Sequence, residues 1–438
     1  MLPKTISDAV CPACCCLCDD IALTVQDGRV VEVANACHRG RAWFLAAPEI
    51  PAASAAASVD AAPVTLERAV AAAAQLLRTA RYPLVYILPE MASEAQRLAI
   101  GIADWLDAVV DTATSGGHGP SIMGFQNAGK VTCTLGETRN RANLIVFWGT
   151  NVVATYPRFF TRYSAEATGM FVPRGRADRT CVAIDVGENE TTRSVDQSFI
   201  IKPNTDFEVL NTLRALVAGV RLDPDEIQHQ TGVPLAAWTE LAEQMKQARF
   251  GSIVFGRGLM HSRGRQANCE ALFRLVAELN DHTRFICRSI RASGNVTGGD
   301  KTMTWRTGFP FGVNLARGYP RYNPGEYTAD EVLARGEADA ALIVGGVASE
   351  RLTPPAVAHL AQIPVVHIAS RHEPLVSSTR QGPAAARITI PTAKHGLHSA
   401  GTMYRMDDIP IRTRAVLPSP LPSESDVLRM LEIRLRSV

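Results

Sequence analysis

The sequence predicts an α/β protein with a small β-rich cysteine module at its N-terminus, doubly wound parallel-sheet domains after it, and a β-rich segment at its C-terminus. Three observations carry this. Short apolar runs recur between longer stretches of helical period. Five cysteines fall within eight positions of "CPACCCLCDDI" (11–21). The stretch that follows, "IALTVQDGRVVEVANAC", alternates apolar and polar residues around an Asp27-Gly28 turn, the pattern of a β-hairpin.

The elements follow in chain order. The cysteine module is drawn at residues 1–60. Its end, "PEIPAASAAASVDAAP" (48–63), is low in complexity and reads as irregular. Beyond it come the apolar runs "PLVYIL" (83–88), "NLIVFWG" (143–149), "CVAIDV" (181–186), "GSIVFG" (251–256), "AALIVGG" (340–346) and "PVVHIAS" (364–370). Between them lie helix-period stretches such as 66–80, 94–108 and 207–219. Strand and helix in alternation argue for parallel sheets covered on both faces. Residues 61–380 are long enough for two such domains, read as interleaved. The segment 381–438 looks β-rich again at "RITIPT" (387–392) and "GTMYRMDDIPIRTRAV" (401–416). It closes on a helix that starts at a Ser/Asp cap in "SESDVLRMLEIRLRS".

Composition excludes several function classes. The 438 residues are 46% hydrophobic and 20% charged, an ordinary globular balance. With 45 basic against 43 acidic side chains, nothing argues for nucleic acid or an anionic membrane. No apolar run approaches a bilayer span, and "MLPKTISDAV" lacks the shape of a signal peptide. A cytoplasmic protein is expected, and half of the ten cysteines in one knot suit ligands better than a disulfide framework. No GxGxxG, Ser-His-Asp spacing or HExxH motif supports a dehydrogenase or a hydrolase within the chain. Three strands run directly into glycine turns: "VFWGTN" (146–151), "VFGRG" (254–258) and "LIVGG" (342–346). Such turns cradle phosphate in some folds; the plain alternative is tight connection geometry.

Cys11, Cys14 and Cys18 form a C-x2-C-x3-C run, and Cys37 follows the hairpin in "NACHRG". Three close thiolates and a distant fourth suit a cubane [4Fe-4S] cluster, with one thiolate for each iron. Zinc is the second choice, since it usually takes two separated pairs. Unliganded thiols are the third. Cys15 and Cys16 are surplus to either scheme.

An iron–sulfur module ahead of doubly wound domains is an order of parts found in molybdopterin oxidoreductases. Within that class the sequence resembles the B subunit of formylmethanofuran dehydrogenase along essentially the whole chain. The phrases that carry the resemblance are "CPACCCLCDDI", "NAC" (35–37), "HGPS" (118–121), "CTLGETRNRANLIVFWGTN" (133–151), "HSRG" (261–264), "NVTG" (295–298), "RYNPGE" (321–326) and "GTMYRMDDIPIR" (401–412). The resemblance implies a molybdopterin-oxidoreductase-like fold. It also implies a redox site where carbon dioxide is reduced to formate at tungsten or molybdenum.

This chain departs from that site. The family's metal-ligating cysteine or selenocysteine precedes His-Gly-Pro-Ser, and here that position is Gly117 in "SGGHGPS". Glycine offers no ligand. His118 remains, as does Arg291, where the family carries an arginine near the reacting formate. The family's nearby histidine is Ser293, its Asp-Pro-Arg reads Asp185-Val186-Gly187, and acidic residues near the end become His398 and Ala400. Together the changes imply that the molybdopterin or tungstopterin is absent.

A non-redox relative, the bacterial formyltransferase/hydrolase complex, has similar A, B, C and D subunits. It moves a formyl group from formyl-tetrahydromethanopterin to a methanofuran analogue and releases formate. The resemblance then implies a scaffolding B subunit, partnered by the A, C and D subunits, with Gly117, His118 and Arg291 as a vestigial site. Transfer falls to the D subunit, hydrolysis to the metal site of the A subunit, and the furan carrier is held elsewhere in the complex. The alternatives are an active molybdenum or tungsten subunit ligated by Ser115 or His118, and an electron-transfer subunit holding only the cluster.

Overall fold

The computed structural model describes residues 3–46, 56–291, 293–370 and 386–437. The chain divides into two compact units. The first comprises Met1–Gly117, Ala292–Arg405 and Pro410–Val438; the second comprises His118–Arg291 and Met406–Ile409. The division drawn from sequence at 1–60, 61–380 and 381–438 cuts across these units. The cysteine segment and all of the C-terminal segment except Met406–Ile409 belong to the first, and β17 of the C-terminal segment pairs with β16 and β4 in its main sheet.

In the first unit, β1 (Lys4–Ala9), β2 (Ile21–Gln26) and β3 (Arg29–Ala34) form an antiparallel sheet. The predicted β2–β3 hairpin is present. Asp27 and Gly28 take φ of 49° and 77°, the left-handed pair a two-residue hairpin needs. The loop from Cys11 to Cys18 joins β1 to β2.

A larger sheet is built from β4 (Ala57–Val59), β5 (Ala62–Val64), β6 (Pro83–Ile87), β7 (Val109–Thr112), β13 (Val313–Asn314), β14 (Arg321–Tyr322), β15 (Ala340–Val344), β16 (Val365–Ala369) and β17 (Arg387–Pro391). Across the sheet their order is β14-β13-β7-β6-β15-β16-β17-β4-β5. From β7 to β17 it is parallel, with antiparallel pairs at both edges. Side chains alternate between the two faces. Val85, Ile87, Leu342 and Val344 pack in one core; Leu84, Tyr86, Ala341 and Ile343 pack in the other. That is why these runs read as continuously apolar rather than alternating.

Two expectations are corrected here. The stretch at 48–63 is not wholly irregular: residues 47–55 lie outside the described ones, but β4 lies within 56–63 and β5 follows to 64. The C-terminal segment is not a separate β-rich part, since β17 extends the main parallel sheet. Only β18 (Gly401–Tyr404) and β19 (Pro410–Thr413) form their own hairpin. The final helix, Glu424–Arg436, starts at the expected cap. Ser423 and Asp426 form a reciprocal capping box.

The second unit holds a five-stranded parallel sheet: β10 (Gln197–Ile200), β9 (Thr180–Asp185), β8 (Leu144–Trp148), β11 (Phe250–Phe255) and β12 (Arg284–Ser289), in that order. Its core includes Val146, Trp148, Ile253, Phe255 and Trp238. Gly251 makes room for the Phe285 ring, which a Cβ there would overlap.

Candidate functional site

The structure places Cys11, Cys14 and Cys18 on one loop of the first unit and Cys37 at the cap of the helix His38–Leu45. The loop closes on itself: Cys11 N donates to Cys18 O at 2.9 Å, and Leu17 N to Cys14 O at 3.3 Å. Cys11, Cys14 and Cys18 are buried and Cys37 is half-buried. Burial pushes the Cys11 thiol up, and Cys14, Cys18 and Cys37 add to the shift, so all four lie within electrostatic reach. Gly40, on the helix His38–Leu45 that follows Cys37, leaves the space Cys11 needs. A Cβ there would meet Cys11 Sγ at 2.9 Å.

The surplus cysteines also have a place. The Cys16 thiol hydrogen-bonds Cys14 and, with its own backbone and the nearby Arg39 charge, holds the Cys14 thiol down at about 7 against burial. Cys16 is held well above the usual thiol range by the same bond and by burial. The donor set therefore fits a cluster in kind: Cys11, Cys14, Cys18 and Cys37 would hold it, and it would supply one-electron transfer. Among the described residues, however, no three His, Cys, Asp or Glu side chains converge as a metal-holding group.

Beside this loop lies a cavity of about 520 Å³, walled by Pro12, Trp43, Glu90, Ser293, Lys394 and His398 among others. Residues just beyond the carboxyl ends of β6, β16 and β17 reach into it, the position where open α/β sheets bind ligands. Lys394 occupies part of that position. Its Nζ lies 4.1 Å from the Trp43 ring centre and donates to Trp43 O at 3.1 Å. Burial, with Lys394 next in order, lowers the pKa of His398, and the buried His398 Nδ1 has no hydrogen-bond partner among the described residues. Arg39 donates to Ser293 Oγ at 3.1 Å. The sequence marked Ser293 and His398 only as departures from a family pattern; Lys394 and Trp43 were missed, with no motif to mark them.

Gly117 lies on the helix Thr114–Ala128. A Cβ at Gly117 would have nothing within 4 Å among the described residues. Packing does not demand glycine there, so the missing side chain is not the consequence of crowding. Ser115 is no substitute ligand as it stands: its Oγ donates to Asp111 Oδ2 at 2.6 Å and to Thr112 O at 3.1 Å. A metal that needs a protein donor at position 117 therefore does not fit.

His118 and Arg291 both fall in the second unit, within electrostatic reach of each other. His118 is buried, and burial holds its imidazole well below the usual range. The charge of Arg291 adds to this, followed by Arg257, His261 and Lys130. Lys130 is itself pushed down to about 8, first by burial and then by Arg288 and Arg291 against the opposing pull of Cys287. A neutral imidazole among cations can attract a small anion and exchange hydrogen bonds with it. Arg257 lies in the "VFGRG" turn and His261 in "HSRG"; the sequence marked both phrases without assigning either side chain to the site.

The glycine turns take the plain reading. Gly149 has φ of 56°, and a Cβ there would sit 2.6 Å from Leu259 N. Gly258 N donates to Gly149 O at 2.9 Å, so two of the three turns pack on each other. Gly345 and Gly346 pack against Met91 and Glu90. Asp185 is satisfied by its own turn, accepting from Val186 N at 2.8 Å and Asn189 Nδ2 at 3.0 Å.

Among the described residues no helix is long and apolar enough to cross a membrane. No protein-family model matches the chain. Comparison with known proteins finds the B subunit of the tungsten-containing formylmethanofuran dehydrogenase 2 of Methanocaldococcus jannaschii, 37% identical over 98% of both chains. The B subunit of the same description from Methanococcus maripaludis is 35% identical over 98% of both. The B subunit of the formyltransferase/hydrolase complex of Methylorubrum extorquens is 28% identical over 65% of this chain and 73% of its own.

Two solved structures share the fold. One is a chain of that Methylorubrum extorquens complex, crystallised with methylofuran, with a TM-score of 0.68, 22% identity, and coverage of 87% of this chain and 98% of that one. The other is acetylene hydratase from Pelobacter acetylenicus, with a TM-score of 0.67, 10% identity, and coverage of 98% and 69%. These likenesses show that the α/β fold is shared with those two chains. At this identity and coverage to the two archaeal relatives, the chain belongs to the family of formylmethanofuran dehydrogenase B subunits.

Proposed function

We propose that this chain is a non-redox, scaffolding B subunit of a cytoplasmic formyltransferase/hydrolase complex. That complex would convert formyl-tetrahydromethanopterin to formate through a methanofuran-type carrier held on other subunits. Its partners would be the A, C and D subunits, with transfer carried by the D subunit and hydrolysis by the A subunit. The observation that carries the reading is Gly117, a residue without a donor in a place with room for one. The engagement of Ser115 with Asp111 and of Asp185 with its own turn supports it further. On this reading the tungsten or molybdenum pterin is absent, and the cysteines form a retained socket.

A second reading, an active tungsten or molybdenum subunit reducing carbon dioxide to formate, is favoured by one observation. Identity to the tungsten-containing subunits is 35–37% over 98% of the chain, against 28% over 65% for the non-redox relative. Metal and cofactor analysis of the purified complex separates the two. The non-redox reading expects neither molybdenum nor tungsten above trace; a stoichiometric amount with extractable pterin overturns it. Iron at about four per chain, the count of a cubane cluster, would show the cysteine socket filled.

A further inference from the structure

The second unit carries an exposed apolar tip that the site does not use. In "ATGMFVP", Gly169 and Val172 exchange backbone hydrogen bonds at 3.1 and 3.2 Å and leave Met170 and Phe171 at the turn. Met170 is 78% exposed and Phe171 46%. Such exposure is ordinary on a mobile loop, but this tip is held from several sides. Phe171 N donates to Asn140 O at 2.9 Å and Met170 N to Asn140 Oδ1 at 3.1 Å. Arg139 Nε binds Thr168 O at 3.1 Å, and Arg249 Nη2 binds Phe171 O at 3.4 Å. The buried Arg179 anchors the base through Ala167 O and Arg139 O, both at 2.7 Å. Gly169 lies so close to the Arg139 carbonyl that no side chain fits. The turn is fixed in place with its two apolar side chains in water.

The surround is cationic. Arg141 lies 4.6 Å from the centre of the Phe171 ring. Glu137, Asp178 and Asp196 are each paired, with Arg141, Arg174 and Arg176 respectively, and Glu166 acts on Arg176. Arg139 and Arg249, on the flanks of the tip, direct their donors at the backbone carbonyls of Thr168 and Phe171, and Arg249 also acts on Asp178. Methionine, aromatics and arginine are the types enriched at the centres of protein interfaces, where pre-ordered groups lose little entropy on binding.

From these observations we propose that the Met170–Phe171 tip docks into another protein of the complex, in an apolar socket rimmed by carboxylates that meet Arg139 and Arg249. A protein socket is favoured over a lipid surface on two grounds. Only two apolar side chains project, far less than the apolar face of a membrane-binding helix, and the hydrogen-bonded backbone suits a shaped partner. The inference rests on the proposed membership of a multisubunit complex, and not on whether that complex performs redox chemistry.

The test mixes the full chain with the purified A, C and D subunits and follows assembly by size-exclusion chromatography with light scattering. Wild-type assembly reports on membership of the complex. The double variant Met170→Glu/Phe171→Glu reports on the tip, with an expected affinity loss of at least tenfold while the variant keeps the wild-type circular dichroism spectrum. Undiminished assembly of the variant overturns the tip proposal and leaves the proposed function standing. Failure of the wild type to assemble overturns both.

If the variant does not fold, peroxide footprinting of the wild type decides: Met170 oxidation should slow at least fivefold in the complex, and an unchanged rate overturns the proposal. Tip-dependent pelleting with phosphatidylserine/phosphatidylcholine vesicles, or tip-dependent self-association of the chain alone, would also overturn it in favour of a membrane or a second copy.

Discussion

Gly117 and Glu424 show how single residues act on two different levels. At Gly117 the open space predicts that Gly117→Cys folds normally, its stability within about 1 kcal/mol of wild type, since glycine inside a helix carries a modest penalty of its own. Urea denaturation checks this. A collapse in stability would make the glycine a packing requirement rather than a lost ligand. Glu424 is buried in the first turn of the final helix, accepting from Thr392 Oγ1 at 3.0 Å. Burial pushes its carboxyl up to about 7. A carboxyl raised in the fold contributes stability that is full below its unfolded value and lost as pH rises through the folded one. Between pH 4.5 and about 7 the native state binds one more proton than the unfolded chain at this site. Stability should therefore fall by up to about 1.4 kcal/mol per pH unit there. Glu424→Gln should remove that slope; an identical pH dependence in urea midpoints for both proteins would contradict the assignment.

The glycine turns and the cysteine loop were legible at the level of elements to unequal degrees. "VFWGTN" and "VFGRG" announced turns after strands, because glycine in those positions has few other uses. Whether the turns face a ligand or each other depends on the spacing of β8 and β11 and is invisible in either phrase alone. The contact between Gly149 and Gly258 predicts that Gly149→Ala destabilises the protein by about 2–4 kcal/mol, from the positive φ and the clash with the turn that carries Leu259. Chemical denaturation measures it. Full stability together with lost anion binding would return the turn to the ligand-cradling reading. The four candidate ligands were readable from spacing. The Cys14–Cys16 thiol bond and the place Gly40 keeps for Cys11 were not, because they depend on how the loop folds against the helix His38–Leu45.

Across the whole molecule, two units with separate cores divide the chain. Gly149→Ala should then speed hydrogen exchange at Val146–Trp148 and Ile253–Phe255 while Val85–Ile87 and Leu342–Val344 keep their protection. Equal loss in both sets, read by mass spectrometry, would mean the chain opens as one block. The sequence by itself determined the alternation of strands and helices, the β2–β3 hairpin, the cysteine spacing, and the absence of a donor at position 117. Each is a local property, written in residue type and short-range period. Only the tertiary structure decided that β17, β4 and β5 extend the sheet built around β6 and β15. It also decided that Lys394 and Trp43 share the cavity beside the cysteine loop, and that Lys130, Arg257 and His261 lie within electrostatic reach of His118. Those facts depend on which distant segments pair and pack. Many pairings satisfy the same local pattern, and burial of both faces of the parallel sheets selects among them.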